Sequence, residues 1–173
     1  MTPPLRIVSD AQGEVPIDSL GGNLQRFLGW TCGDVPAAEF LSHLFAVSQV
    51  ADDFVDDDIP PEKRSEQMTQ LVLTLLLNVG NNPFFDRYRI ELQALMASSL
   101  IVWDATNEWA GSTRQDTRTF AFVYREILEQ VISFTAYVVG GLEHARAVTR
   151  EVHQHYHVDH GEGFAAWESE HGR

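Results

Sequence analysis

The chain has 173 residues, 44% of them hydrophobic and 21% charged, with 25 acidic residues against 12 basic ones and a formal charge of −13. That composition suits one globular domain able to bury a core without staples, and the single cysteine, Cys32, excludes an internal disulfide. With Lys63 the only lysine, the carboxylate excess would repel a phosphate backbone, so no direct nucleic-acid binding is expected, while a basic protein partner stays open.

Residues 1–33 carry Pro3, Pro4, Gly13, Pro16, Gly21, Gly22 and Gly33 and read as an irregular arm, with Leu5 to Val8 as a short strand. No signal peptide is expected in Met1 to Asp10, which lacks an uninterrupted apolar stretch. Asp34 caps a first helix running to about Asp58, with Phe40, Leu44, Val47, Ala51 and Phe54 at three- and four-residue spacing. Pro60-Pro61 ends it and opens a second helix from Glu62 to Asn78, which closes at Gly80-Asn81-Asn82-Pro83. A third, from Phe84 to Trp109, is apolar in every direction between Leu95 and Trp103 and is expected to be the buried central helix.

Thr113 with Asp116 forms a capping-box signal for a fourth helix presenting Phe120, Val123, Ile127, Val131, Phe134 and Val138 on one face. Gly140-Gly141 interrupts it, a last helical stretch runs from Leu142 to about His157, and residues 159–173 form an acidic, histidine-containing tail. The expected fold is all-α: an antiparallel bundle of four to five helices over residues 34–158 behind the arm. The most apolar windows, Leu71 to Val79 and Leu95 to Trp103, stop about ten residues short of a bilayer span. No membrane partner follows, and cytoplasmic residence is the default.

The departure from a plain bundle is Ala51-Asp52-Asp53-Phe54-Val55-Asp56-Asp57-Asp58, five carboxylates in seven positions. On a helix, Asp52 and Asp56 stand one turn apart at the edge of the apolar stripe, while Asp53 and Asp57 form a second pair further towards water. Two carboxylates so held can share Mg²⁺, a hard cation that prefers oxygen ligands. Asp104, Asn107 and Glu108 follow an apolar run on one face of the third helix. Asp104 and Glu108 are therefore expected to face Asp52 and Asp56 as a second metal-binding arm, with Asp53 a further candidate ligand. Arg87, Arg118 and Arg125, with Asn107, are the candidates for binding substrate phosphate.

Glu126 and Glu129 make a weaker third arm, read mainly as an exposed pair balanced by Arg125 or Arg118. His153 and His157 have the one-turn spacing of a zinc pair, with His160 close by, but lack the adjacent glutamate of a zinc hydrolase and read mainly as a solvated terminal helix. His43 reads as a surface or satisfied core histidine.

Asp52-Asp53-Phe54-Val55-Asp56 resembles the DDxxD motif of class I isoprenoid synthases, helical enzymes that bind Mg²⁺ and a prenyl diphosphate. That resemblance implies metal coordination by Asp52 and Asp56. Asn82-Pro83-Phe84-Phe85, Ile101-x-Trp103-x-x-x-Asn107 and Tyr137-x-x-Gly140-Gly141, with the aspartate-rich helix end, resemble small uncharacterised helical proteins of tailed bacteriophages and prophages over residues 40–150. That layout implies a viral origin and residence in host cytoplasm. The all-α nucleotide pyrophosphohydrolases also hold Mg²⁺ on bundle helices, although their paired acidic elements do not map onto this chain. Two functions are therefore expected in competition: a Mg²⁺-dependent protein acting on a phosphorylated or diphosphate small molecule, or a non-catalytic acidic protein that binds a basic host partner, as a DNA mimic or inhibitor would.

Overall fold

The computed structural model describes residues 17–159 and 163–171. Among these, every regular element is helical and no strand occurs, so the chain is all-α. Among the described residues no helix is long and apolar enough to cross a membrane. The strand expected at Leu5 to Val8 lies outside the described residues, as does His160. The chain divides into two compact units, Met1–Arg87 and Tyr88–Arg173.

The first unit holds α1 (Ile17–Trp30), α2 (Val35–Val55), α3 (Pro61–Leu73), which runs on into a π-helical turn at Thr74–Val79, and α4 (Pro83–Arg87). The irregular arm is therefore corrected, since α1 fills most of its second half. Phe27 and Trp30, at 2% and 1% exposure, pack edge to face with centroids 5.5 Å apart, and Phe27 also meets Phe45 at 6.2 Å. Burying two aromatic rings outweighs the roughly 1 kcal/mol that each helical glycine costs. Cys32 and Gly33, both with positive φ, then turn the chain into α2.

The start of α2 is as the sequence indicates: the Ala37 amide donates to Asp34 Oδ1 at 3.0 Å, with proline in the first turn. Asn82 organises the far side of this unit. Its Oδ1 accepts from the amides of Phe84 (2.9 Å) and Phe85 (3.1 Å), and its Nδ2 donates to the Pro36 carbonyl at 2.9 Å. One side chain thereby caps α4 and ties it to α2, where Phe84 and Phe85 pack on Phe40 at 5.9 and 5.8 Å.

The second unit holds α5 (Arg89–Ala110), α6 (Gln115–Tyr124), α7 (Glu129–His153), which continues into a π-helical end at Gln154–Asp159, and α8 (Phe164–His171). The third predicted helix begins only at Arg89, because α4 is separate. It is not the buried centre: Leu92 and Ser99 are buried, but Leu100 and Ile101 are 59% and 70% exposed. Apolar side chains surround its axis, whereas its packing partners α6 and α7 take only part of that circumference.

The capping box at Thr113 does not form. Arg114 is the N-cap without a side-chain bond, and Asp116 accepts instead from Arg114 and from the Thr117 amide. The predicted fourth helix is also broken between α6 and α7, where the amides of Ile127, Glu129, Gln130 and Val131 bond carbonyls three residues back. This tightening rotates the stripe, so that Phe120 and Val123 are exposed whereas Val131 is buried. At Gly141 (φ 77°, ψ −178°) α7 itself reverses. Ser133 and Thr149, 16 residues apart, share a 2.9 Å hydrogen bond, where a continuous helix would separate them by about 24 Å. The interruption read at Gly140-Gly141 is thus the tip of a helical hairpin.

Candidate functional site

At the end of α2 the Asp56 amide bonds the Asp52 carbonyl at 2.9 Å and the Asp58 amide reaches back to the Asp53 carbonyl at 3.0 Å. Asp57 sits at φ 63°. This is the left-handed helix stop that glycine usually occupies. Asp52 and Asp56 therefore stand one turn apart as expected, but Asp53 and Asp57 do not, because Asp57 has left the helix. The exposure order is also reversed. Asp52, Asp56, Asp57 and Asp58 are exposed, and Asp53 is the partly buried member.

Asp53 titrates above the ordinary carboxylate range, first because burial penalises its charge and then because Asp58 and Asp56 lie near it. Arg64 pairs with Asp57 and donates from Nε to the Ile59 carbonyl at 3.0 Å, pinning the segment above the buried Ile59. Carboxylates at a helix C-terminus also oppose its dipole, at roughly 0.3–1 kcal/mol each. Between positions 52 and 66 there are seven acidic residues and two basic ones. The segment is a dense patch of negative charge held at a structural cost.

Asp104, Asn107 and Glu108 are exposed on α5 and belong to the second unit, whereas Asp52, Asp53 and Asp56 belong to the first. Arg87 is exposed on α4. Arg118 donates from Nε to Glu168 at 2.8 Å and from a terminal nitrogen to the Ser112 carbonyl at 2.8 Å. Arg125 lies over the rings of Phe122 (4.6 Å) and Trp167 (5.9 Å) and pairs with Glu126 at 3.4 Å. Both arginines are thus occupied by their own chain.

Among the described residues no group of three or more histidine, cysteine, aspartate or glutamate side chains is arranged to hold a metal ion.

His43 Nε2 is 3.0 Å from Asn78 Nδ2, and burial pulls its pKa down, as befits a histidine within a helix contact. Glu129 is not an exposed partner of Glu126. It is half-buried across the α7 hairpin, 3.2 Å from His157 Nε2. Burial raises its pKa, His157 opposes that rise and Glu126 adds to it. The rings of His153 and His157 lie 5.1 Å apart.

The sequence reading missed the anchor in the tail. Trp167 is 4% exposed and, with Phe122 and Phe164, covers Ala110 and Ala121. The signal was Phe164 and Trp167, two aromatic residues at helical spacing around Ala165-Ala166 within a tail that is acidic elsewhere. No protein family, curated protein or solved structure matches this chain.

Proposed function

We propose that this is a non-catalytic acidic protein whose Asp52–Asp58 segment docks on a basic protein partner. The observation that carries the reading is the end of α2. Four of its five carboxylates are exposed, the fifth is held partly buried against its charge, and a left-handed aspartate fixes their display. A net charge of −13 adds long-range attraction for a cationic surface, a term that raises the encounter rate and weakens with salt. A protein of this kind competes with nucleic acid for a basic surface by presenting carboxylates where phosphates would lie.

The test is binding of a short arginine-rich peptide, followed by fluorescence anisotropy at low and at raised salt. The expected result is saturable, salt-sensitive binding that weakens about tenfold or more in Asp52→Asn/Asp53→Asn/Asp56→Asn/Asp58→Asn. Undiminished binding by that variant overturns the proposal. So does stabilisation of the parent by Mg²⁺ that disappears in Asp52→Asn/Asp56→Asn, since that outcome belongs to a metal-dependent activity on a phosphorylated ligand.

A further inference from the structure

The outward side of α5 carries an apolar pattern that the packing of its own unit does not use. α5 packs on α6 and α7 through a face whose buried positions are Leu92, Ser99, Thr106 and Ala110. On the opposite side Ile90, Ala94, Ala97 and Ile101 form one exposed stripe. Ile90 and Ile101, at 81% and 70%, are the most exposed large hydrophobic residues among those described. Asp104 and Glu108, also exposed, continue the same stripe. Steps of four, three, four, three and four residues from Ile90 to Glu108 are the spacing of a coiled-coil seam.

Reversed end to end, this stripe is its own complement. An antiparallel second copy centred between Leu95 and Met96 sets Ile90 against Ile101 and Ala94 against Ala97, each twice by symmetry. Small side chains then meet at the middle, where they let the helix axes approach, and large ones meet towards the ends. The charges match in the same register. Arg87, exposed and one residue ahead of the N-cap Tyr88, comes level with Asp104 of the second copy. A parallel pair would instead set Asp104 on Asp104 and Glu108 on Glu108, and with a charge of −13 on each copy that repulsion selects the antiparallel arrangement.

We propose that the Ile90–Ile101 face of α5 is a homodimer interface, on which two copies of the chain pair antiparallel with Arg87 of each beside Asp104 of the other. α5 has 22 residues and so is about 33 Å long. Four apolar side chains from each copy make a seam of the small, reversible class rather than an obligate one. The interface is separate from the Asp52–Asp58 segment, and neither reading depends on the other.

The experiment is sedimentation velocity on the full chain, at roughly 0.15 M salt and from about 1 to about 100 μM protein. The parent is expected to pass from monomer to dimer across that range. Ile90→Asp/Ile101→Asp, at two exposed positions that folding does not need, is expected to stay monomeric with unchanged helical circular dichroism. Arg87→Glu and Asp104→Arg are each expected to weaken the dimer about tenfold or more. An equimolar mixture of those two variants is expected to recover it, because both end contacts then pair opposite charges, a rescue that misfolding would not produce. A parent that is monomeric throughout overturns the inference, as does a dimer that survives Ile90→Asp/Ile101→Asp. A mixture that associates no better than either variant alone overturns it as well.

Discussion

The end of α2 and the α6–α8 face treat charge in opposite ways. On the α6–α8 face arginine meets carboxylate at close range: Arg118 with Glu168, Arg114 with Asp116, Arg125 with Glu126. There charge closes a contact over an aromatic cluster. At the end of α2, carboxylates are gathered faster than the neighbouring basic residues can balance them, and the burial of Asp53 adds to the cost. Matched charge of the first kind is sufficiently explained by folding. Excess charge of the second kind works against the fold where Asp53 is partly buried, and it is this excess that the proposed basic partner would meet.

The comparison breaks first at its most buried point. Trp167→Ala should release about 3 kcal/mol of α8 docking, read as lost hydrogen-exchange protection over 164–171 while the amides of α2 keep theirs. Arg118→Met should cost about 1–2 kcal/mol in the same readout, because the Arg118–Glu168 pair is mostly shielded from water. On the aspartate side the sign should invert. Asp57→Gly should stabilise by about 0.5 kcal/mol in urea unfolding, since glycine accepts the left-handed turn and the exposed contact with Arg64 returns little.

The smallest effect is a pure titration. Asp116, fully exposed, is held at a pKa of about 2, first by its hydrogen bond from Arg114 and then by the Thr117 amide. In Arg114→Ala an NMR titration should find it nearer the ordinary carboxylate value, with no measurable change in melting. An unmoved Asp116 would show that this matching of charge is not what the structure indicates.

Much of the helical pattern was legible because it rests on local signals. Asp34 as a cap, Pro60-Pro61 as a boundary and Gly140-Gly141 as an interruption each act within one turn of chain. What could not be read depends on contacts distant in sequence. Phe27 and Trp30 make α1 helical by burial, against the glycines that suggested an arm. Arg118 carries no local sequence sign that it is engaged, because its partner Glu168 lies fifty residues away. At the aspartate segment the one-turn relation of Asp52 and Asp56 was legible, but the exit of Asp57 from the helix was not. Nor was the burial of Asp53, since both follow from where the helix stops rather than from its period.

The central claim is that the end of α2 trades stability for display of charge, and Asp52→Asn/Asp53→Asn/Asp56→Asn/Asp58→Asn tests both halves at once. Asp53 binds its proton more tightly folded than unfolded, so its ionisation costs stability as pH rises through the carboxylate range. The variant should therefore melt higher than the parent at neutral pH, lose that advantage below about pH 3, and bind the arginine-rich peptide more weakly. A variant that melts no higher at neutral pH, or that holds the peptide as tightly as the parent, would contradict the account.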